Sequence, residues 1–213
     1  DTEVILHAWE EWGPECLNDF NGMFAFIILD EQKQELYAVR DRFGVKPLYY
    51  YENDNAIYFA SEIKQIRTAP GYKFELNVPI ARQYLALGAT DHTTSTFEEG
   101  IKSVCQGCYI QIDLSKEKTE LFEAEWYYHD THPHFKNFDE AAALYRNTLS
   151  DAVNLRLRSD VKVGSCLSGG LDSSSIVCIA ANLLKQKGDF AGQETVTACF
   201  NDLKYDEWKF AEE

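Results

Sequence analysis

Residues 168–174, in the order Ser-Gly-Gly-Leu-Asp-Ser-Ser, hold the side chains of this chain that are best suited to chemistry. Two adjacent glycines leave backbone N–H groups open, and a helix that begins directly after them adds partial positive charge. The hydroxyl groups of Ser168, Ser173 and Ser174 can donate to the same anion, and the carboxylate of Asp172 can hold a divalent metal. The combination predicts a phosphate site with a metal ion beside it.

This loop differs from two common nucleotide-binding signatures. A Walker loop reads G-x-x-x-x-G-K-S/T and places a lysine on the terminal phosphates, whereas residues 168–174 contain no lysine. A dinucleotide fingerprint needs a third spaced glycine, which is also missing. We therefore expect a phosphate loop of another type, and the alternative is a glycine-rich turn that binds nothing.

Regular elements are predicted on both sides of the loop. An apolar run at 161–167 predicts a strand that leads into it, and apolar residues at helical spacing predict a helix from 173 to about 187. A second strand at 195–200 and a helix starting near Tyr205 follow. This alternation is typical of a doubly wound parallel sheet, in which ligands bind at the carboxyl ends of the strands.

The segment SGGLDSS after a strand resembles the pyrophosphate-binding loop of the ATP pyrophosphatases, such as the asparagine, GMP, NAD and argininosuccinate synthetases. Members of that group cleave ATP between the α and β phosphates, adenylate a substrate and release magnesium pyrophosphate. The resemblance implies ATP and Mg²⁺ as cofactors, Asp172 as a metal ligand, and an adenine pocket lined by Leu167 and Cys199. The residues that it assigns to ATP and pyrophosphate are Leu167, Ser168, Gly169, Gly170, Leu171, Asp172, Ser173, Ser174 and Cys199.

Residues 1 to about 125 have a different pattern, mostly of β-strands. The continuous apolar run at 23–29 predicts a strand that is buried on both faces. Alternating runs and turn residues predict the other strands and a late hairpin, at 35–41, 48–51, 56–60, 109–113 and 119–122. Helices are predicted at 4–12, ended by Gly13-Pro14, and at 80–87, ended by Gly88.

Three phrases in this first half, FNGMFAFIILD, RDRFGVKPLYYY and FASEIKQI, resemble the glutaminase domain of class II (N-terminal-nucleophile) glutamine amidotransferases. Together with SGGLDSS, they resemble the glutamine-hydrolysing asparagine synthetase family. The resemblance implies that ATP adenylates aspartate and that ammonia from glutamine then displaces AMP, giving asparagine, AMP and pyrophosphate. The small-molecule partners would be glutamine, aspartate and ATP, and a homodimer is left open.

The change of pattern divides the chain into three parts. We predict a glutamine amidotransferase type 2 domain at 1–128, a connector at 129–137 and the start of an ATP-binding synthetase domain at 138–213. The last part opens with a long amphipathic helix from 138 to about 158, for which Asp139 is the expected cap. The expected fold class is α/β and α+β, with both domains incomplete.

Incompleteness is expected because the family nucleophile is an amino-terminal cysteine, whereas residue 1 is Asp and the first cysteine is Cys16. The chain is therefore interpreted as an internal fragment that lacks a catalytic residue for glutamine hydrolysis. Asn21 stands where many relatives have an aspartate that binds the α-amino group of glutamine, so it is the candidate glutamine-binding residue.

Several other residues in these motifs are interpreted as structural. Arg40 and Asp41 are expected to be scaffold residues, a role close to a strand-edge ion pair, and Gly44 and Pro47 shape the turn that follows. Glu62 is expected to cap a helix that begins at Ser61. Glu207 is interpreted as an acid at a helix start rather than as a catalytic base.

Composition excludes some functions. The net charge of −15 argues against nucleic acid as a partner, and no apolar run approaches the ~20 residues of a membrane span. The first residues do not resemble a signal peptide, so a cytoplasmic location is expected. Cys105 and Cys108 form a lone C-x-x-C that reads as a plain turn rather than a metal or redox site. His129, His132 and His134 are interpreted as exposed connector residues.

Two alternatives to asparagine synthesis stay open at this point. One is a related amidotransferase or cyclase that acts on another carboxylate. The other is a non-catalytic homologue that binds ATP. The intact SGGLDSS segment argues against loss of the second site, whereas the absent amino-terminal cysteine would fit loss of the first.

Overall fold

A computed structural model of the chain describes residues 1–116, 120–128, 135–188, 193–202 and 204–212. The chain forms two separate units, Asp1–Asp130 and Thr131–Glu213. No helix in the described ranges is long and apolar enough to cross a membrane.

Most of the first unit consists of β-strands. Its helices are α1 (Thr2–Trp12), a 3₁₀ helix (Gly13–Asp19), α2 (Ile63–Ile66) and α3 (Val78–Leu87). Its strands are β1 (Ala25–Asp30), β2 (Glu35–Arg40), β3 (Tyr49–Glu52), β4 (Ile57–Ala60), β5 (Ile101–Ser103), β6 (Cys108–Asp113) and β7 (Leu121–Glu125). Every predicted strand of this region is present within a few residues, whereas β5 was not predicted.

The strands form two antiparallel sheets. The first has the order β1-β2-β6-β7, and the second has the order β4-β3-β5. In the first sheet Ile28 pairs with Tyr37 across β1 and β2, and Ala38 pairs with Ile110 across β2 and β6. The predicted late hairpin is formed by β6 and β7, although Thr119 lies outside the described residues.

The first sheet is covered on both faces. On one face Val39 and Tyr37 pack with Trp9 of α1 and Leu17 of the 3₁₀ helix. On the other face, residues from the first sheet pack with Leu48, Val104 and side chains of β3 and β4; they include Ala38, Cys108, Ile110 and Ile112. The alternation of strand side chains therefore serves two cores, one towards the helices and one towards the second sheet.

The prediction that the run 23–29 is buried on both faces is wrong. In β1 only Ile28 is fully buried, while Ile27 and Leu29 are 46% and 50% exposed. The physical reason is that β1 is an edge strand, so that its outer residues have neighbours on one side only.

Helix ends follow local chemistry. Asp1 caps α1, as its carboxylate accepts from the N–H of Thr2 at 2.9 Å. Gly88 ends α3 in the left-handed conformation, with φ of 65°, as predicted. Gly13 and Pro14 end α1 as predicted, but the chain continues directly as the 3₁₀ helix, because Pro suits the first turn of a helix.

The second unit contains α4 (Phe138–Arg156), β8 (Gly164–Cys166), α5 (Leu171–Gln186), β9 (Glu194–Val196) and α6 (Trp208–Ala211). Strands β8 and β9 pair in parallel with α5 between them, and Ser165 lies opposite Thr195. The predicted strand–loop–helix–strand order is thus present. The strands are shorter than predicted, and α5 begins at Leu171 rather than at Ser173.

The predicted cap of α4 is wrong. Asn137 rather than Asp139 precedes the helix, and its side-chain oxygen accepts from the N–H of Glu140 at 2.9 Å. Asp139 lies inside the first turn, where its charge favours the positive end of the helix dipole. The carboxylate of Glu140 accepts in turn from the N–H of Lys136 at 3.0 Å.

Candidate functional site

The SGGLDSS loop leaves β8 and enters α5 through residues 167–170. The N–H of Leu167 donates to the carbonyl of Val196 at 3.0 Å, which extends the pairing with β9 by one residue. The hydroxyl of Thr197 donates to the carbonyl of Leu167 at 2.8 Å. Both bonds hold the start of the loop at the carboxyl edge of the two parallel strands, where ligands of α/β proteins bind.

Serine hydroxyls inside the loop bind one another. The hydroxyl of Ser173 accepts from the N–H of Ser168 at 3.3 Å, lies 3.0 Å from the Ser168 hydroxyl, and donates to the carbonyl of Gly170 at 3.2 Å. The Ser168 hydroxyl also accepts from the N–H of Gly170 at 3.4 Å. This small network fixes the turn and gathers two hydroxyl groups at its surface.

The first turn of α5 supplies further donors. The N–H of Ser174 bonds the carbonyl of Gly170 at 3.0 Å, so the N–H groups before it begin the helix and have no acceptor one turn earlier. These N–H groups and the helix dipole make the start of α5 favourable for an anion. Leu171, at the first position of the helix, is exposed and directs no polar group to the loop.

Asp172 lies in the same first turn and is exposed. Its carboxylate forms no hydrogen bond or ion pair with any residue that the structure describes, so both oxygens are open to a cation. Across the described ranges, no group of three or more His, Cys, Asp or Glu side chains could hold a metal ion. A magnesium ion here would fit a single carboxylate supplemented by phosphate oxygens and water, which is how this ion is commonly bound.

The two glycines of the loop differ in their backbone angles and in the space around them. Gly169 has a φ of 74°, and a Cβ at this position would lie 2.4 Å from Cβ of Phe210 and 2.8 Å from N of Ala211. Gly170 has ordinary backbone angles, and a Cβ there would lie 3.3 Å from Oγ of Ser168. Gly169 is therefore required by the close approach of α6, whereas at Gly170 an added Cβ would make only a tight contact with the Ser168 hydroxyl.

The two residues predicted for an adenine pocket both follow the ends of parallel strands. Leu167 comes directly after β8 and is half-buried, and Cys199 comes three residues after β9 and is exposed. The Cys199 thiol donates to the carbonyl of Thr197 at 3.8 Å. Because β8 and β9 are neighbours, the two positions share one edge of the sheet. Glu207 precedes α6 as its cap residue, so the prediction of a helix-start acid is confirmed.

Asp41 directly follows β2 in the first unit and binds the backbone around it. It is 1% exposed, and its two carboxylate oxygens accept four backbone N–H groups. Oδ1 accepts from Phe43 and Val45, and Oδ2 accepts from Phe24 and Lys46, at 2.9 to 3.2 Å. One buried side chain therefore determines the path of the RDRFGVK segment, which confirms its scaffold role.

Arg40 supports the same segment without pairing with its neighbour. Its guanidinium donates to the carbonyls of Gly44, Lys46 and Val104 at 2.7 to 3.0 Å. The alternative of an Arg40–Asp41 ion pair is wrong for the described chain, because both side chains bind backbone groups instead. The turn role of Gly44 is confirmed by its φ of 63° and by its N–H, which donates to the carbonyl of Asp41.

Other predicted residues of the first unit lie apart from any cluster. Asn21 is exposed between the 3₁₀ helix and β1, and its side chain forms no hydrogen bond with a described residue. Pro47 lies in the connection between β2 and β3. Glu62 caps α2, with its N–H donating to the side chain of Gln65 at 3.0 Å, although the helix begins at Ile63 rather than at Ser61.

Sequence reasoning missed one buried acid. Glu98 is 4% exposed, and its carboxylate binds the guanidinium of Arg67 and the hydroxyl of Tyr72. The bond to Arg67 and its charge lower the pKa of the Glu98 carboxyl, and burial and this carboxylate raise the pKa of Tyr72 to about 12. Glu98 is far in sequence from Arg67 and Tyr72, so no local pattern indicates the contact. The three connector histidines of the sequence analysis, His129, His132 and His134, lie outside the described residues.

Comparison with known proteins defines the class. Residues 1–127 match the family model of a glutamine amidotransferase domain, and residues 144–213 match that of asparagine synthase. The two matches follow one another along the chain in the order that the motifs predicted. The chain belongs to the glutamine-hydrolysing asparagine synthetase family.

Individual relatives agree with this assignment. The chain is 36% identical to Asparagine synthetase (glutamine-hydrolyzing) 3 of Bacillus subtilis over 88% of its length, and 35% identical to Asparagine synthetase (glutamine-hydrolyzing) 2 of the same organism over 98%. It is also 33% identical to Amidase chry2 of Gibberella zeae over 92% of its length. The chain spans 28% to 30% of the length of these three relatives.

Proposed function

We propose that this chain is part of an enzyme that makes an amide with ATP and with ammonia taken from glutamine. The observation that supports it best is the succession of an amidotransferase match and an SGGLDSS loop at the start of a helix. A carboxylate is a poor electrophile until a good leaving group is attached, and adenylation with release of pyrophosphate supplies that group. The proposed reaction converts aspartate through β-aspartyl-AMP to asparagine, AMP and pyrophosphate.

In this proposal ATP binds at the loop after β8. The backbone N–H groups at the start of α5 and the hydroxyls of Ser168, Ser173 and Ser174 bind the pyrophosphate portion, alongside Gly169 and Gly170. Leu167 and Cys199, at neighbouring strand ends, line the adenine pocket, and Leu171 belongs to the same segment. Asp172 holds Mg²⁺, which would offset the negative charge of the phosphates.

Further proposals concern the domains. Residues 1–128 would form a type 2 glutamine amidotransferase domain, residues 129–137 a connector, and residues 138–213 the start of the synthetase domain. We propose that the first is of the N-terminal-nucleophile type and that β8 and β9 are part of a doubly wound parallel sheet. Asn21 remains the proposed glutamine contact, in which its carbonyl oxygen would accept from the α-amino group.

A second candidate is the same chemistry on another carboxylate. The similarity to Amidase chry2 favours it, because that relative, at 33% identity, is nearly as close as the asparagine synthetases at 35% and 36%, yet it bears a different name. Both candidates share adenylation at the SGGLDSS loop, so they differ in the acid that is activated. Formation of AMP with a panel of carboxylates, aspartate first, separates them.

The experiment that tests the site is ATP–pyrophosphate exchange by the whole protein with aspartate and magnesium. Asp172→Ala should abolish exchange and leave glutaminase activity unchanged, because the metal that accompanies pyrophosphate loses its ligand. Asp139→Ala is the matched control, since it removes an acid from the first turn of α4 in the same unit. Exchange at the wild-type rate in Asp172→Ala would refute the metal assignment.

A further inference from the structure

Cys105 and Cys108 lie at the two ends of a tight turn that leads into β6. The N–H of Cys108 donates to the carbonyl of Cys105 at 3.3 Å. Gly107 has a φ of 66°, and Gln106 is not among the residues with positive φ, which is the pattern of a type II turn. The ends of a β-turn lie within about 7 Å of each other between Cα atoms, and disulfides span roughly 4.4 to 6.8 Å.

Both thiols also face the same part of the core. Cys108 is a buried member of the cluster between the two sheets of the first unit, and Cys105 packs against that cluster from its edge. Neither cysteine is in a disulfide. The turn therefore brings two free thiols to one side of the chain, which a disulfide requires in addition to a short Cα distance.

The two thiols differ in their access to solvent. Cys105 is partly exposed, whereas Cys108 is buried. Burial, followed by the proximity of Cys105 and of the carboxylates of Glu123 and Glu125, raises the pKa of the Cys108 thiol to about 12. At neutral pH Cys108 is thus a protonated, shielded thiol, and Cys105 is the thiol of the pair that an external reagent reaches first.

We propose that Cys105 and Cys108 are a reversible redox pair, which closes to an intramolecular disulfide by exchange with a low-molecular-weight disulfide such as oxidised glutathione. The Cys105 thiolate attacks one sulfur of the small disulfide, and the other sulfur leaves as a thiolate. Cys108 then gives its proton to solvent and attacks the Cys105 sulfur, releasing the second small thiolate. The protein loses two electrons and two protons, and the small disulfide gains them as two thiols.

The turn that holds the redox pair is hydrogen-bonded to the segment around Asp41, so oxidation of the pair would act on that segment. The N–H of Gly107 donates to the carbonyl of Asp41 at 2.8 Å, and the carbonyl of Gly107 accepts from Trp126 at 2.8 Å. A Cβ on Gly107 would lie 3.2 Å from Cβ of Tyr127, so the turn is closely packed. A disulfide across the turn would hold these contacts in one geometry covalently, while the reduced turn is held by hydrogen bonds and packing alone.

The test equilibrates the whole protein with glutathione buffers from fully reduced to fully oxidised, followed by acid quenching, denaturation, alkylation and digestion with trypsin. Cleavage after Lys102 and Lys116 gives the peptide 103–116, which contains both cysteines of the pair and no other. In oxidised buffer the wild-type peptide is expected to lack alkyl groups and to weigh two hydrogens less than the dithiol. Treatment with dithiothreitol should then restore two alkylation sites.

Single variants identify the order of attack. Cys108→Ser is expected to carry one glutathione on Cys105, because the resolving thiol is gone, whereas Cys105→Ser should leave the buried Cys108 unmodified. The exposed thiols Cys166, Cys178 and Cys199 provide an internal control for the strength of the oxidant. A wild-type peptide that stays a dithiol while those thiols are glutathionylated, or that accumulates a stable glutathione adduct on Cys105, would overturn the proposal.

Discussion

Two loops in this chain gather N–H groups around oxygen atoms, one in each unit. Around Asp41 the anion is part of the chain, is buried, and accepts four N–H groups of its own backbone. In residues 168–174 the hydroxyls bind one another, the helix start faces outward, and the carboxylate of Asp172 is open. The first loop acts as a support, because its four N–H donors are already satisfied by Asp41. The second leaves the first N–H groups of α5 and the carboxylate of Asp172 without partners among the described residues, as the proposed ATP site requires.

The largest effect is expected at Asp41. Asp41→Ala leaves four backbone N–H groups of a partly buried site without the acceptor that they share. A buried unsatisfied donor costs roughly 1 to 3 kcal/mol, and because this site is only partly shielded from water we expect a total loss of about 3 to 5 kcal/mol. Urea unfolding followed by tryptophan fluorescence measures it, because three of the four tryptophans, Trp9, Trp12 and Trp126, lie in the first unit.

Asparagine variants sharpen the same comparison. Asp41→Asn keeps only one acceptor oxygen for N–H groups that bind both oxygens, so an intermediate loss is expected. Asp30→Asn is the control, because Oδ1 of Asp30 accepts both N–H groups of Gln32 and Lys33 in a hairpin turn. Equal losses of stability in Asp41→Asn and Asp30→Asn would show that the four hydrogen bonds to Asp41 do not account for its contribution to stability.

The second-largest effect concerns the glycines of the SGGLDSS loop. Gly169→Ala should destabilise the second unit by about 1 to 3 kcal/mol, because its methyl group collides with Phe210 and its φ is positive. Gly170→Ala is the matched variant, expected to cost less than Gly169→Ala, since its backbone angles suit alanine and only the Ser168 hydroxyl, 3.3 Å from the added Cβ, must shift slightly. If the loop binds pyrophosphate, Gly170→Ala should still lower ATP–pyrophosphate exchange more than tenfold; exchange at the wild-type rate would contradict that role.

These two loops also show what could be predicted from sequence. The strand–loop–helix order, the parallel pairing and the scaffold role of Asp41 follow from periodicity and from motifs that are legible along the chain. Sequence patterns do not indicate the close contact between Gly169 and Phe210, the bond from Thr197 to Leu167 or the exposed face of β1. Each depends on elements that meet only after folding, and the lengths of β8 and β9 are likewise set by pairing rather than by apolar content.

The third prediction concerns Glu98, a buried acid whose carboxylate binds side chains rather than backbone. The bond from Arg67 lowers the pKa of Glu98, and such a group stabilises the fold fully above its unfolded pKa of about 4.3. That contribution is lost as the pH falls through the lowered folded pKa. Glu98→Gln should therefore be less stable than the wild type at neutral pH, with the difference shrinking below about pH 4.

Urea midpoints measured from about pH 3 to pH 7 test this, with Glu99→Gln as the exposed neighbour that should keep the wild-type pH profile. A difference between Glu98→Gln and wild type that does not depend on pH would mean that packing, rather than the charge, accounts for the role of Glu98. Because the carboxylate binds the Arg67 guanidinium, added salt should weaken the effect only in part.

The smallest effect separates two neighbouring polar residues at the start of α4. Asn137→Ala should cost about 1 kcal/mol, because the N–H of Glu140 loses its acceptor at 2.9 Å. Asp139→Ala should cost less, since that side chain acts only through the helix dipole. Hydrogen exchange of the Glu140 amide is the direct measurement, and it should accelerate in Asn137→Ala alone. Faster exchange in both variants would mean that the charge of the first turn, rather than the cap, initiates the helix. The start of α4 would then resemble that of α5, which has no side-chain cap.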